Sequence, residues 1–200
     1  MKQLVLGISP PPQPTLENFV PGANAELLAR LREFAAGQLG ETVFYLWGEA
    51  GSGRSHLLRA SAGPGVVLVD DVDKLDEAGQ VAAFNAINQA RESGGWVLAA
   101  GPAPPAQLAL REDLRSRLGW GLVFQVKPLT DAERALFLRA EAARRGMRLS
   151  DEVIWYLLTH VRRDLPSLAA ILDQLDRASL EQRRHITLPL AREILRSLEE

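Results

Sequence analysis

The segment that decides the fold is TVFYLWGEAGSGRSHLL, residues 42–58. Its first part is mostly apolar and typical of a buried β-strand, and its last part, which starts at His56, has an apolar pattern typical of a helix. The loop between them fits the phosphate-binding pattern G-x-x-x-x-G-K-[ST], except that arginine stands in place of lysine. The residues that we expect to contact a nucleotide are Gly48, Gly51, Ser52, Gly53, Arg54, Ser55 and His56.

The chemistry of this loop follows from its backbone. Glycines free the amide groups to point at an anion, and the positive end of the following helix adds to that attraction. The Ser55 hydroxyl would reach a magnesium ion, and Arg54 can contact phosphate through a planar fork instead of a point charge. We therefore expect ADP or ATP as the cofactor, together with Mg²⁺. A glycine-rich turn without a ligand is the alternative interpretation.

Three further apolar runs predict strands, at 66–69, 96–100 and 122–126. The runs are continuous and do not alternate with polar residues, which is typical of a parallel sheet covered by helices on both faces. A helical stretch from Ala78 to Arg91 separates two of them. Right-handed crossovers then predict a parallel sheet in the order Leu122 strand, Thr42 strand, Trp96 strand and Val66 strand.

Two acidic residues follow the strand at 66–69 and resemble a Walker B motif. In that interpretation Asp70 holds magnesium through water, and Asp71 stands where related ATPases carry the acid that activates water. Asp71 is one carbon shorter than the usual glutamate. A solvated junction between a strand and a turn is the alternative.

After Pro128 the strand pattern stops and the sequence predicts a small helical bundle. Thr130 and Glu133 form a capping box that begins a helix, which Gly146 can end. Further apolar stripes, at 153–161 and 168–175, predict two more helices, and Thr187 can cap a fourth. Earlier in the chain, Asn24 is placed to cap a helix that carries Leu27, Leu28, Leu31 and Phe34.

Composition excludes several classes of function. The chain has no cysteine, which removes disulfides, thiolate metal sites and cysteine nucleophiles. Its net charge is −2, which is no electrostatic footprint for wrapping nucleic acid. Its three histidines are scattered, which argues against a histidine metal site. No apolar run is long enough for a membrane span, and the N-terminus lacks a signal-peptide pattern, so we expect a cytoplasmic protein without a membrane partner.

The N-terminus consists of a short apolar peptide, MKQLVLGI, followed by a proline-rich stretch. Proline fixes φ and removes a backbone donor, so Ser9 to Pro14 are expected to form a semi-rigid spacer. The peptide is then a tethered apolar segment. Its alternative interpretation is an edge strand.

Four stretches together resemble the Hda family, which are AAA+ paralogues of the bacterial replication initiator DnaA. They are 16–27 (LENFVPGANAEL), the loop GEAGSGRSHLL, 114–121 (LRSRLGWG) and 173–179 (DQLDRAS). The arginine in place of the loop lysine is itself a trait of that family. The resemblance implies an AAA+ P-loop α/β core with a trimmed sheet, followed by a small all-α lid bundle. The implied domains are 1–22, 23–128 and 129–200.

The resemblance also implies roles for particular residues. In the family an N-terminal Q-L-x-L-x-[LF] peptide binds the DNA polymerase sliding clamp, and Gln3, Leu4, Leu6 and Ile8 fall on those positions. Arg117 matches the arginine finger that enters the nucleotide site of a neighbouring subunit, where a guanidinium stabilises the transferring phosphoryl group. A surface pair with carboxylates is the alternative for Arg115 and Arg117. Finally, Leu16, Phe19 and Val20 match the stretch that forms the purine pocket.

The chain departs from the family pattern at several places. Gly7 stands where clamp-binding peptides often have proline. No polar side chain occurs in residues 99–105 (AAGPAPP), where the family usually has a sensor residue. Pro166 stands where the lid usually carries an arginine, with Arg162 and Arg163 in the preceding turn as substitutes. We also expect no counterpart of the initiator's C-terminal DNA-binding domain, so that contact with DNA is indirect, through the clamp.

Three hypotheses remain from the sequence. The first is a regulator that binds the clamp and promotes hydrolysis of ATP bound to the initiator DnaA, preventing re-initiation, with little or no ATPase activity of its own. The second is an AAA+ loader or remodelling enzyme that hydrolyses nucleotide itself. The third is a binding module in which neither the nucleotide nor Arg117 matters. A homodimer is compatible with the first two.

Overall fold

The computed structural model describes residues 13–199, which form two compact units that divide between Pro128 and Leu129. The first unit contains four strands: β1 (Val43–Trp47), β2 (Val66–Val69), β3 (Trp96–Gly101) and β4 (Leu122–Gln125). Its helices are α1 (Ala25–Ala35), α2 (Arg54–Ala60), α3 (Glu77–Ser93) and α4 (Glu112–Leu118). The second unit is helical throughout, with α5 (Asp131–Arg144), α6 (Asp151–His160), α7 (Leu165–Gln182) and α8 (Leu188–Glu199).

The four strands form one parallel sheet in the order β2-β3-β1-β4. The predicted order and the predicted parallel pairing are both confirmed. In the register, Val43 lies opposite Val97, and Phe44 lies opposite Leu122. The carboxyl ends of β1, β2 and β3 therefore lie along one edge of the sheet, the position at which α/β proteins bind ligands.

Successive residues of the strands enter two different hydrophobic cores. Phe44 and Leu46 point into a core with α1 and α2, whereas Val43 and Tyr45 point into a core with α3 and α4. This alternation explains why the strands are apolar on both faces, since each face is covered by helices. The sheet is indeed trimmed at β2, an edge strand that only five residues, 61–65, connect to α2.

Two local expectations from the sequence need correction. Asn24 stands at the N-cap position of α1, but its side chain caps nothing. It instead accepts a hydrogen bond from the Lys127 amide at 2.7 Å and donates one to the Lys127 carbonyl at 2.8 Å, which ties α1 to the segment after β4. Helix α2 begins at Arg54 and not at His56, because its first turn includes the end of the glycine-rich loop.

The helical unit has the local signals that its sequence predicts. Thr130 and Glu133 make the reciprocal hydrogen bonds of a capping box at the start of α5, and the Thr130 amide lowers the pKa of Glu133. Gly146, with φ of +75°, follows the end of that helix. A core formed by all four helices holds this unit together. Within residues 13–199, none of the helices combines the length and the apolar character needed to cross a membrane.

Candidate nucleotide site and arginine surface

The glycine-rich loop leaves β1 at Gly48 and enters α2 at Arg54. It passes so close to the chain beyond β4 that a Cβ on Gly48 would lie 2.4 Å from the Val126 carbonyl oxygen. Gly53 has φ of +100°, and a Cβ there would lie 2.8 Å from the Phe19 ring. Both positions therefore require glycine, and the loop backbone is fixed by contacts on both sides.

The N-terminal stretch before α1 lies against this loop. Phe19 is buried, and its ring centroid lies 5.6 Å from that of His56 in α2. The Nε2 atom of His56 is 3.0 Å from the Thr15 carbonyl oxygen. Leu16 is buried in the same core, and Val20 is half-buried. The structure thus places Phe19 and His56 together beside the loop.

Two polar atoms of the loop are buried without a hydrogen-bond partner among the described residues. They are Oγ of Ser52 and Nη1 of Arg54. Leaving a buried polar group unsatisfied costs roughly 1–3 kcal/mol, and more for a charged group. A guanidinium donor and a hydroxyl beside freed backbone amides fit the phosphate groups of a nucleotide, which would satisfy both atoms.

The acidic pair after β2 has an unusual backbone and a cationic partner. Asp71 has φ of 47°, in the left-handed region, and its amide donates to Oδ1 of Asp70 at 3.0 Å. Its own carboxylate forms an ion pair with Nζ of Lys74 at 2.7 Å. That bond raises the pKa of Lys74, so the ammonium stays charged. The Asp71 carboxylate is therefore already engaged by a neighbouring cation.

The proposed magnesium ligands, Ser55 and Asp70, belong to different elements. Ser55 lies half-buried in the first turn of α2, and Asp70 directly follows β2. Within the described part of the chain, no group of three or more His, Asp or Glu side chains could hold a metal ion. The two oxygen donors fit Mg²⁺ only together with water and nucleotide phosphates, which is its usual mode of binding.

No sequence pattern pointed to Tyr45, a residue whose hydroxyl lies near the end of β3. Tyr45 lies on β1 and donates a hydrogen bond to the Ala103 carbonyl at 2.9 Å. A Cβ on Gly101 would lie 2.2 Å from the Tyr45 oxygen, so the hydroxyl fills the space that this glycine leaves. Burial raises the pKa of Tyr45, which keeps the hydroxyl neutral. Its proton is bonded to a carbonyl, so this hydroxyl does not replace the missing sensor side chain.

Arg117 lies on α4, on the side of the sheet that α3 covers. Its Cζ atom is 3.6 Å from the ring centroid of Trp120 and 5.4 Å from that of Phe84. Among the described residues, neither Arg117 nor Arg115 makes a side-chain hydrogen bond or an ion pair. The expected alternative, a surface pair with carboxylates, is therefore wrong for this arginine, which stacks on aromatic rings instead.

Comparison with known proteins identifies the family of this chain. Residues 131–195 match the model of the lid domain of Hda. An uncharacterized protein of Haemophilus influenzae is 33% identical over 228 aligned positions, which cover 97% of this chain and 98% of that protein. The chain belongs to the Hda and DnaA group of AAA+ proteins.

Solved structures show the same fold in that group. Domain III of the replication initiation protein DnaA from Thermotoga maritima superposes with a TM-score of 0.78 at 20% identity, over 94% of this chain and 98% of that one. DnaA from Aquifex aeolicus, bound to AMPPCP, gives a TM-score of 0.67 at 21% identity, over 86% of this chain and 70% of that one. The predicted AAA+ class, an α/β core with a helical lid, is confirmed.

Within the Hda-type lid, the two arginines near the missing lid arginine have carboxylate partners. Nε of Arg162 lies 3.2 Å from Oδ2 of Asp164, and Nη1 of Arg163 lies 3.8 Å from Oδ1 of Asp131. Pro166 lies in the first turn of α7. The residues matched to the clamp-binding peptide, Gln3, Leu4, Leu6 and Ile8, lie outside the described residues.

Proposed function

We propose that this protein regulates the initiation of DNA replication in the cytoplasm. It binds the polymerase sliding clamp through Gln3, Leu4, Leu6 and Ile8. It then presents Arg117 to ATP-bound DnaA, so that the initiator hydrolyses its own ATP and cannot initiate again. DNA is reached only through the clamp, and a homodimer is compatible with this arrangement.

The observation that carries the proposal is the state of the Arg117 guanidinium. Its side chain is half-buried on a helix, and within residues 13–199 its N–H donors have no acceptor. An arginine finger must offer free N–H donors to the phosphate oxygens of the nucleotide in another subunit. These donors stabilise the negative charge that develops on the phosphoryl group in the transition state. An arginine held in a structural ion pair would not have them free.

The protein's own site supports binding more than hydrolysis. The nucleotide, ADP or ATP with Mg²⁺, is held by the loop amides, Ser52, Arg54 and Ser55, while Phe19 and Val20 face the base. Asp71 is paired with Lys74, and the neighbouring strand β3 ends in Ala99, Ala100 and Gly101. No described side chain at these positions is placed to orient a water molecule. The bound nucleotide is therefore a structural ligand and not a substrate.

The direct test is a reconstituted assay that contains DnaA loaded with ATP, sliding clamp loaded on DNA, and this protein. We expect the rate of phosphate release by DnaA to rise when the protein is added, and to fall back when the clamp is left out. If the initiator's rate stays the same, the regulatory function is wrong. If the isolated protein is the species that hydrolyses ATP, the remodelling enzyme is the better description.

Replacing Arg54 by alanine is expected to weaken nucleotide binding. A hydrogen bond to a charged group contributes roughly 1.5–3 kcal/mol, so the Kd for ADP should rise about 10- to 150-fold by isothermal calorimetry. Arg59→Ala is the matched control, because Arg59 is an exposed arginine in the last turn of the same helix. Equal Kd values for the parent and the Arg54 variant would mean that the guanidinium does not contact phosphate.

Turnover by the isolated protein should be slow. The contacts that the loop amides and the helix end make with phosphate do not need the loop lysine, so they survive its replacement by arginine. The attacking water is not oriented, because the usual sensor positions hold apolar residues or proline. Phosphate release measured at saturating ATP and Mg²⁺, without DnaA, should stay far below about 1 s⁻¹, an ordinary low value for enzymes. A steady rate at or above that value contradicts the structural role of the nucleotide.

A further inference from the structure

The Arg117 guanidinium lies near aromatic side chains from two places in the fold, the segment just after α4 and helix α3. A distance of 3.6 Å from Cζ to the Trp120 centroid means that the cation lies in van der Waals contact over the ring. Phe84, from α3, lies on the same guanidinium at 5.4 Å. Arg91, also from α3, lies 5.3 Å from the Trp120 ring. Aromatic and cationic groups of α3 and of the α4 end thus form one cluster.

Trp120 is exposed, yet its backbone is fixed on both sides. Its amide donates to the Arg117 carbonyl at 3.2 Å, just beyond the end of α4. The next residue, Gly121, passes so close to β1 that a Cβ there would lie 1.8 Å from the Val43 carbonyl oxygen. The backbone that carries the tryptophan is therefore fixed, although 52% of the surface of this residue is exposed.

An exposed tryptophan on a fixed stretch of backbone needs a reason, and the contact of its ring with Arg117 supplies one. A guanidinium that stacks through its face keeps its N–H donors in its own plane, pointing away from the ring. Stacking therefore restricts the orientation of the arginine without using any of its donors. A carboxylate partner would restrict it too, but would occupy the donors that phosphate requires.

We infer that Trp120 is a positioning residue for Arg117: its ring, with Phe84 also 5.4 Å from the guanidinium carbon, orients the arginine finger toward the phosphate groups of a partner's nucleotide. The inference rests on the proposed function of Arg117 and adds a specific residue to it. Positioning acts on the rate of the stimulated reaction, since a mobile guanidinium spends less time in the productive geometry. It does not act on the affinity of this protein for the clamp.

The test compares Trp120→Ala, Trp120→Phe and Arg117→Ala in the assay with ATP-bound DnaA and clamp-loaded DNA. We expect Trp120→Ala to lower the maximal stimulated rate about two- to fivefold, the factor that corresponds to a cation–π contact at an exposed site. The concentration that gives half-maximal stimulation should stay unchanged. Trp120→Phe keeps a ring and should restore most of the rate. Trp155→Ala is the matched control, since Trp155 is a tryptophan of similar exposure, 50%, in the helical unit.

Fluorescence quenching tests the stacking independently of DnaA. Subtracting the signal of Trp120→Phe from that of the full chain isolates Trp120, and Arg117→Ala should make that residue more accessible to acrylamide. If Trp120→Ala stimulates at the parental maximal rate while Arg117→Ala does not stimulate, the positioning role is overturned and the function stands. If Arg117→Ala also stimulates fully, the proposed function itself fails. A rise in half-maximal concentration at an unchanged maximal rate would overturn positioning in favour of a simple contact role for Trp120.

Discussion

Alanine in place of Arg117 will abolish the stimulation of ATP hydrolysis by DnaA while leaving clamp binding intact. A guanidinium that enters another subunit's site acts on the transition state and not on the ground state, so the loss appears in rate. In well-studied GTPases such an arginine is worth about 10³ to 10⁵ in rate, and we expect a loss of at least about 10² here. The measurement is single-turnover phosphate release from ATP-bound DnaA in the presence of clamp-loaded DNA.

Two controls make the Arg117 result specific. Arg115 lies two residues away on α4 and therefore points to a different side of the helix, so Arg115→Ala should stimulate like the parent. Arg117→Lys keeps the charge but loses the planar fork and the aromatic stack, and it should stay well below the parental rate. The melting temperature of Arg117→Ala should fall only slightly, because the variant loses the aromatic contacts of the side chain but, within residues 13–199, no hydrogen bond or ion pair. Full stimulation by Arg117→Ala would falsify the finger assignment.

The second large effect is expected at the other end of the chain. Replacing both Leu4 and Leu6 by alanine should remove measurable binding to the sliding clamp. A short peptide gains most of its affinity from a few apolar anchors, at roughly 1.5–3 kcal/mol for each buried side chain. Loss of both anchors then weakens binding by about 10² to 10⁴. Surface plasmon resonance on immobilised clamp measures the change directly.

Val5 provides the control for this double variant. It stands between the two leucines at a variable position of the Q-L-x-L-x-[LF] pattern, so Val5→Ala should bind the clamp nearly as well as the parent. Nucleotide binding and the cooperative unfolding transition should be the same in all of these variants, because among residues 13–199 the hydrophobic cores are built from Leu16 onward. If the double variant binds the clamp as tightly as the parent, then Leu4 and Leu6 are not the anchors. Clamp binding would then depend on another part of the molecule, or would not belong to the function of this protein.

Most of the α/β core was predictable because its signals are local. The strand at 66–69 and the capping box at Thr130 lie where the sequence predicts them, since apolar runs and capping patterns depend on neighbouring residues. The order of the strands was predictable too, because right-handed crossovers leave few arrangements for short connections. Asn24 was misjudged as a cap because its actual partner, Lys127, is 103 residues away in the sequence.

The sequence by itself determined the fold class, the strand order, the glycine-rich loop between β1 and α2, and the position of Arg117 within its motif. Each of these depends on spacing along the chain. Only the tertiary structure decided that Asp71 is paired with Lys74, that Tyr45 fills the space beside Gly101, and that Arg117 stacks on aromatic rings. The packing of α3 against the α4 segment brings Phe84 to Arg117 across more than thirty positions of sequence. The physical reason is that the environment of a charged side chain depends on which groups the fold brings beside it, and a pattern of neighbouring residues does not record that.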